Sequence, residues 1–257
     1  MNTSVEKILH EVKKVIAGKD DVLEKIMMTV LSRGHVLLDD VPGTGKTTTA
    51  LAFSRALGLR YGRIQFTPDV LPSDIVGFSM YHKESGSFAY QPGAVMTNLL
   101  LADEINRTSS KTQSALLEAM EEYQVTVDGH TYPLPKPFVV LATQNPVGSA
   151  GTQLLPSSQL DRFMIRTTMG YPDRQSQVDI LRERHHENPL DRLQGVVTCE
   201  ELLELIEYSS VVSGVKSYEK AILQMAEDLG LLDFALSAAS YRESLSYYCR
   251  PEFLDEK

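Results

Sequence analysis

Residues 35–47, HVLLDDVPGTGKT, run an apolar stretch straight into a Gly/Pro-rich turn that closes on Gly45, Lys46 and Thr47. Such a run reads as a buried strand. The next segment, GKTTTALAFSRALG, reads as a helix that Gly58 stops. Strand, glycine-rich turn and helix in succession allow backbone N–H groups to converge on a phosphate at a helix N-terminus. The spacing fits G-x-x-x-x-G-K-[ST] except at its first position, which Asp40 occupies. Gly43 and Gly45 fall in the body of the turn, where a Cβ would block a close approach or φ is positive. Aspartate tolerates unusual backbone angles, so Asp40 is compatible with an intact loop if its carboxylate faces away from the phosphates. The candidate nucleotide-binding residues are therefore Val41, Pro42, Gly43, Thr44, Gly45, Lys46, Thr47 and Thr48. Lys46 can reach the β- and γ-phosphates as a point charge, and the Thr47 hydroxyl can ligate Mg²⁺.

Comparable apolar runs recur in YGRIQF, NLLLADE, PFVVLATQN and FMIRTT, with helical segments between most of them, notably SSKTQSALLEAMEE. This alternation predicts an α/β domain built on a mainly parallel five-stranded sheet. Before it, Val5, Ile8, Leu9, Val12, Val15 and Ile16 follow helical spacing up to Gly18, and residues 20–32 read as a second helix. GFSMYHKESGSFAYQPG and YQVTVDGHTYPLP interrupt the rhythm and read as hairpins. Beyond about Tyr171 the strands stop, and YPDRQSQVDILRER, CEELLELIEYSS and SYEKAILQMAEDLG read as helices. The predicted division is an α/β core over residues 1–170 and a helical unit over 171–257, joined at Gly170-Tyr171-Pro172.

In NLLLADE, a buried strand runs directly into Asp103 and Glu104. Alone, the pair could equally be solvated strand-end charges. Beside a phosphate loop, Asp103 is a candidate to hold Mg²⁺ through water, and Glu104 to polarise an attacking water as general base. Asn145, in LATQNP, follows a strand expected between the other two, where an amide can bond a γ-phosphate or orient water; an Asn-Pro turn is the plainer alternative. The net charge is −9 and the basic residues are scattered, which disfavours nucleic acid as a partner. Cys199 and Cys249 form neither a metal-type pair nor a disulfide framework, which suits a reducing cytosol. The N-terminal segment is charged throughout, and no run approaches the ~18 apolar residues of a membrane span. A soluble, cytoplasmic protein is the expectation. The histidines, His185-His186 included, show no ligand spacing and read as solvated.

Together with RIQFTPDVLPSDIVG, NLLLADEINRTSSKTQSALLEAMEE, QVTVDG, ATQNPVGSAGTQLLPSSQLDRF and MGYP, these motifs make the chain resemble the MoxR family of AAA+ ATPases over about residues 1–195. The resemblance implies a P-loop AAA+ core with ATP and Mg²⁺ as ligands. It assigns Lys46 and Thr47 to Walker A, Asp103 and Glu104 to Walker B, and Asn145 to sensor 1. Arg162, in QLDRF, falls at the family's arginine finger, which acts on ATP held by a neighbouring subunit; from the residues alone, Asp161-Arg162 could be a surface pair. Arg107, in EINRTS, is a second candidate for an intersubunit contact, or else caps the turn or pairs with Glu104 or Glu118. MoxR-like proteins often carry an acid at the position of Asp40. The hairpins would be the helix-2 insert and the pre-sensor-1 hairpin, which touch substrate or partner in related machines.

The resemblance weakens near the end. LSAASYRESL places Arg242 at the sensor-2 position of a helical lid, but the residues before it depart from the family, and the lid is expected to be short. The implied function is a hexameric, ATP-hydrolysing chaperone or remodelling factor for a protein client, with a von Willebrand A domain protein as partner. An ATP-binding scaffold subunit with little hydrolysis is the alternative. A phosphotransferase lacks a visible acceptor pocket and basic lid, and a GTPase lacks the Asn-Lys-x-Asp motif.

Overall fold

The computed structural model describes residues 2–39, 43–145, 155–171 and 189–213. Helices α1 (Asn2–Lys13) and α2 (Asp20–Leu31) lead into strand β1 (Val36–Asp39), helix α3 (Lys46–Ala56) and strand β2 (Tyr61–Gln65). Helix α4 (Pro72–Val76) precedes a hairpin of β3 (Gly77–His82) and β4 (Ser87–Pro92), followed by β5 (Leu99–Asp103). Helix α5 (Ser110–Glu122) runs into a second hairpin, β6 (Gln124–Val127) and β7 (His130–Pro133), and then β8 (Val139–Gln144). Helix α6 (Ser157–Leu160), β9 (Ile165–Thr167) and helix α7 (Cys199–Ser213) complete the described elements, with 3-10 turns at Ile105–Arg107 and Pro189–Arg192.

The apolar runs form one parallel sheet of five strands in the order β2-β5-β8-β1-β9. Successive residues of a strand point to opposite faces. Val36 and Leu38 of β1, Leu99 and Leu101 of β5, and Val139 and Leu141 of β8 pack with α1, α2 and α3. Leu37, Leu100, Ala102, Val140 and Ala142 face the other way, onto α4, α5 and Phe163. Both faces are therefore covered, which explains why these strands read as continuous apolar runs rather than alternating ones. Helix α7 adds Leu202 and Ile206 to the first of these cores, and its Ser209 hydroxyl donates to the Leu31 carbonyl at 3.0 Å. The other helices expected beyond residue 171 lie outside the described residues.

Both hairpins form where the sequence places them. In the second, Asp128 (φ 49°) and Gly129 (φ 77°) are both left-handed, the geometry a two-residue turn needs to match strand twist. The hairpins meet each other: the Tyr90 and Tyr132 rings stack with centroids 4.0 Å apart and 12° between their planes. The Tyr90 hydroxyl also donates to the Val76 carbonyl at 2.6 Å. Phe78, Met80, Tyr81 and Phe88 of the first hairpin are exposed.

His35 departs from the expected solvated histidine. It is buried, its Nδ1 accepts from the Val140 N–H at 3.0 Å, and its Nε2 lies 3.2 Å from the Met120 carbonyl, to which it donates. The ring lies between those of Tyr123 and Phe138 and ties β1, β8 and the end of α5 together. Burial pushes its pKa down from 6.5 to about 4, against the opposing pull of the Met120 carbonyl. The folded state thus holds a neutral ring that the unfolded chain would protonate. This contribution to stability is complete above pH 6.5 and is lost as the pH falls toward 4. The melting temperature of the wild type should therefore fall more steeply across that window than that of His35→Gln, which has no ring to protonate. Parallel curves for the two proteins would place the acid sensitivity elsewhere.

Candidate functional site

Strands β1, β8 and β5 lie side by side, so their C-terminal ends bring the predicted site residues together. Asp39 is level with Gln144, and Ala102 with Ala142, which sets Asp103 beside Thr143. Ligands of open parallel sheets bind outside such carboxyl ends.

Helix α3 begins at Lys46 with Gly45 as its N-cap, at φ 90° and with no side-chain cap. The first-turn N–H groups of a helix have no intrahelical partners, and together with the helix dipole they favour an anion. Gly43 has φ 89°, and a Cβ built on either glycine meets no heavy atom within 4 Å among the described residues. Thr44 and Lys46 are buried, while Thr47 and Thr48 are partly exposed. Asp40, Val41 and Pro42 at the loop entry, and Arg242, lie outside the described residues.

Across the strand ends the acids are held individually. Asp103 accepts from the Thr143 hydroxyl through Oδ1 at 2.6 Å and from Arg63 through Oδ2 at 2.8 Å. Glu104 sits in the left-handed region (φ 59°, ψ 47°), a costly conformation for a side chain of its size, and its N–H donates to Thr143 Oγ1 at 2.8 Å. Its carboxylate accepts from Asn145 Nδ2 at 3.0 Å and from Arg107 at 2.7 Å. Burial works against the charge on Glu104, but the Arg107 and Asn145 hydrogen bonds outweigh it and hold the carboxyl below its ordinary value of 4.5. Asn106 exchanges hydrogen bonds with the Asn145 backbone, at 3.1 Å to its carbonyl and 3.3 Å from its N–H. Asn145 Oδ1 is buried with no hydrogen-bond partner among the described residues, an acceptor able to receive a hydrogen bond from water. At the end of β1, Asp39 is bound by Gln144 and Arg166.

The structure thus joins Asp103, Glu104 and Asn145 in one network next to the strand that leads into the loop. Arg107 enters it as the partner of Glu104. Arg162 stands apart, with its guanidinium paired to Glu121 of α5. Thr143, Arg63 and the Asp39–Gln144–Arg166 group were not singled out from sequence. Thr143 left a usable signal: a hydroxyl within the buried run FVVLATQN needs a partner, and it lies two residues before Asn145, close to the end of β8.

Fold and site together define a P-loop nucleotide-binding core of the AAA class. The sequence profile of the ATPase family associated with various cellular activities (AAA) matches residues 35–165. The uncharacterised protein YeaC of Bacillus subtilis (strain 168) is 46% identical over 221 residues, covering 86% of this chain and 69% of YeaC. Chaperone MoxR1 of Mycobacterium tuberculosis is 45% identical over 178 residues, covering 69% of this chain but 47% of MoxR1. The crystal structure of an ATPase candidate from Cytophaga hutchinsonii superposes with a TM-score of 0.75 at 40% identity, over 82% of this chain and 64% of that one. The chain belongs to the MoxR family of AAA+ ATPases. Membership implies nucleotide binding, usually with Mg²⁺. The donor set fits that ion: Thr47 and Asp103 offer hard oxygens, and each Asp103 oxygen keeps a lone pair beyond its bond to Thr143 or Arg63.

The backbone of Gly45 gives a direct test of the loop. Gly45→Ala should lower stability by roughly 1–2 kcal/mol in denaturant melts, although no neighbour among the described residues blocks the added methyl, because an L-residue is strained at this φ. An unchanged midpoint would mean that the loop readily adopts another conformation.

Proposed function

We propose that this chain binds ATP with Mg²⁺ and hydrolyses it as a subunit of a hexameric ring that remodels a protein client. The observation that carries the reading is Glu104, held ionised at a strand end by Arg107 and Asn145, next to Asp103 and one strand removed from β1, which enters the phosphate loop. In this reading Lys46 and the first-turn N–H groups of α3 hold the phosphates, together with residues 41–45 and Thr48. Thr47 and Asp103 hold Mg²⁺, which supplies charge neutralisation on the phosphate oxygens. Glu104 takes a proton from water oriented by Asn145. Arg162 serves the ATP of the neighbouring subunit, and Arg242 acts from the helical lid over 171–257.

Family membership supports the ATPase reading, and the name of chaperone MoxR1 supports a protein client. The exposed Phe78, Met80, Tyr81 and Phe88 supply apolar surface that such a client could meet. A von Willebrand A domain partner follows from the MoxR resemblance alone, and a cytoplasmic setting from the charged N-terminal segment and the cysteine usage of the sequence. Among the described residues, no helix is long and apolar enough to cross a membrane. One observation favours a slower, scaffold-like subunit: the Arg107 and Asn145 hydrogen bonds hold the Glu104 carboxyl below its ordinary value, which makes it a weaker proton acceptor.

Glu104→Gln separates the two. The amide cannot accept the proton, so turnover should fall by roughly 10²–10⁴-fold with Mg·ATP still bound, whereas Lys46→Ala should abolish most binding. Equal turnover in wild type and Glu104→Gln would remove Glu104 from catalysis.

Arg162 calls for a mixing experiment. Arg162→Ala should bind ATP normally yet hydrolyse it more slowly, by up to the ~10³–10⁵-fold an arginine finger contributes. Mixed with Lys46→Ala subunits it should regain activity, because some interfaces then pair an intact Lys46 with an intact Arg162. Mixed rings as inactive as their components would confine Arg162 to its own subunit, as the partner of Glu121.

A further inference from the structure

Thr143 is completely buried, yet it is polar, and both hydrogen-bonding capacities of its hydroxyl are used on the acidic pair. Its single proton goes to Asp103 Oδ1 at 2.6 Å, and its oxygen accepts the Glu104 N–H at 2.8 Å. The first bond fixes one edge of the Asp103 carboxylate while Arg63 fixes the other. The second holds the backbone of Glu104 in a left-handed conformation that the residue would not adopt unaided. β-branching limits the side chain to few rotamers, so the hydroxyl is held where both partners need it. Thr143 also lies two residues before Asn145, which directly follows the end of β8, so the strand that sets the two acids leads straight to the amide.

We propose that Thr143 is the positioning residue of this site, orienting Asp103 toward Mg²⁺ and Glu104 toward water without touching either. The proposal rests on the ATPase reading above. It predicts a failure of geometry rather than of nucleotide affinity, because the loop that holds the phosphates is left alone. A misplacement of about 1 Å in a catalytic group can cost on the order of 10² in rate.

The test uses the full chain as wild type, Thr143→Val and Thr143→Ser, with ATP turnover and ATP binding both titrated against Mg²⁺. Valine keeps the shape and removes the hydroxyl; serine keeps the hydroxyl and removes a methyl. Thr143→Val should lose about 10²-fold in kcat with KM for ATP within about threefold of wild type, and should need about tenfold more Mg²⁺ for half-maximal ATP binding. Thr143→Ser should stay within about tenfold of wild type in both measurements. The proposal is overturned if the valine protein keeps its turnover and Mg²⁺ demand, or if serine fails as badly as valine, which would make the role one of packing. If the valine protein does not fold, serine decides alone: a serine protein below a tenth of wild-type activity overturns the proposal. A wild type that binds Mg·ATP without turning it over would sink the ATPase reading, while the Mg²⁺ titration would still decide on Thr143. A wild type that does not bind Mg·ATP would sink both.

Discussion

A parallel sheet covered on both faces leaves polar groups almost nowhere to go but the strand ends. β5 and β8 are buried along their whole lengths, so a charge within them would lose its hydration on either side. The chemistry gathers where these strands and β1 stop, and the strand order decides which groups meet there. Because β8 lies between β1 and β5, its last residues reach Asp39 on one side and Asp103 and Glu104 on the other. Thr143 is the single polar group allowed deeper, and it is fully satisfied.

Gathering carboxylates at a place built for a polyanion raises an electrostatic conflict, and the structure resolves it one acid at a time. Asp39 has Arg166, Asp103 has Arg63, and Glu104 has Arg107. These guanidinium groups are partly exposed, and ion pairs of that kind contribute little to stability. Their effect is on orientation and protonation: each fixes a carboxylate edge, and Arg107 helps keep Glu104 charged against the effect of burial. The arginines come from β2, β9 and the turn after β5, so the charge balance of the site depends on the sheet being assembled.

Much of this was legible in the sequence because it depends on neighbours in the chain. An apolar run ending in Asp103-Glu104, another ending at Asn145, and a loop ending in Gly45-Lys46-Thr47 each declare a strand end. The Val-Asp-Gly-His segment declares a turn because two consecutive left-handed residues suit Asp and Gly. What escaped depends on partners distant in the chain. Arg63 meets Asp103 across 40 positions, and His35 meets Val140 across 105, so nothing local separates a buried histidine from a solvated one. Thr143 was hidden differently, since threonine is a good strand former and passes as one.

The stacked rings of Tyr90 and Tyr132 bear on how force travels through the molecule. Each hairpin is a slender two-stranded ribbon, and alone each would bend independently of the other. With the rings in contact at 4.0 Å, sliding one ribbon uncovers aromatic surface on both. Tyr90 is further tethered to the end of α4 through Val76, and the second ribbon grows directly from α5. The pair therefore behaves as a single stiffened beam rooted in two helices of the same layer. A load applied at the tip of either ribbon is shared between both roots.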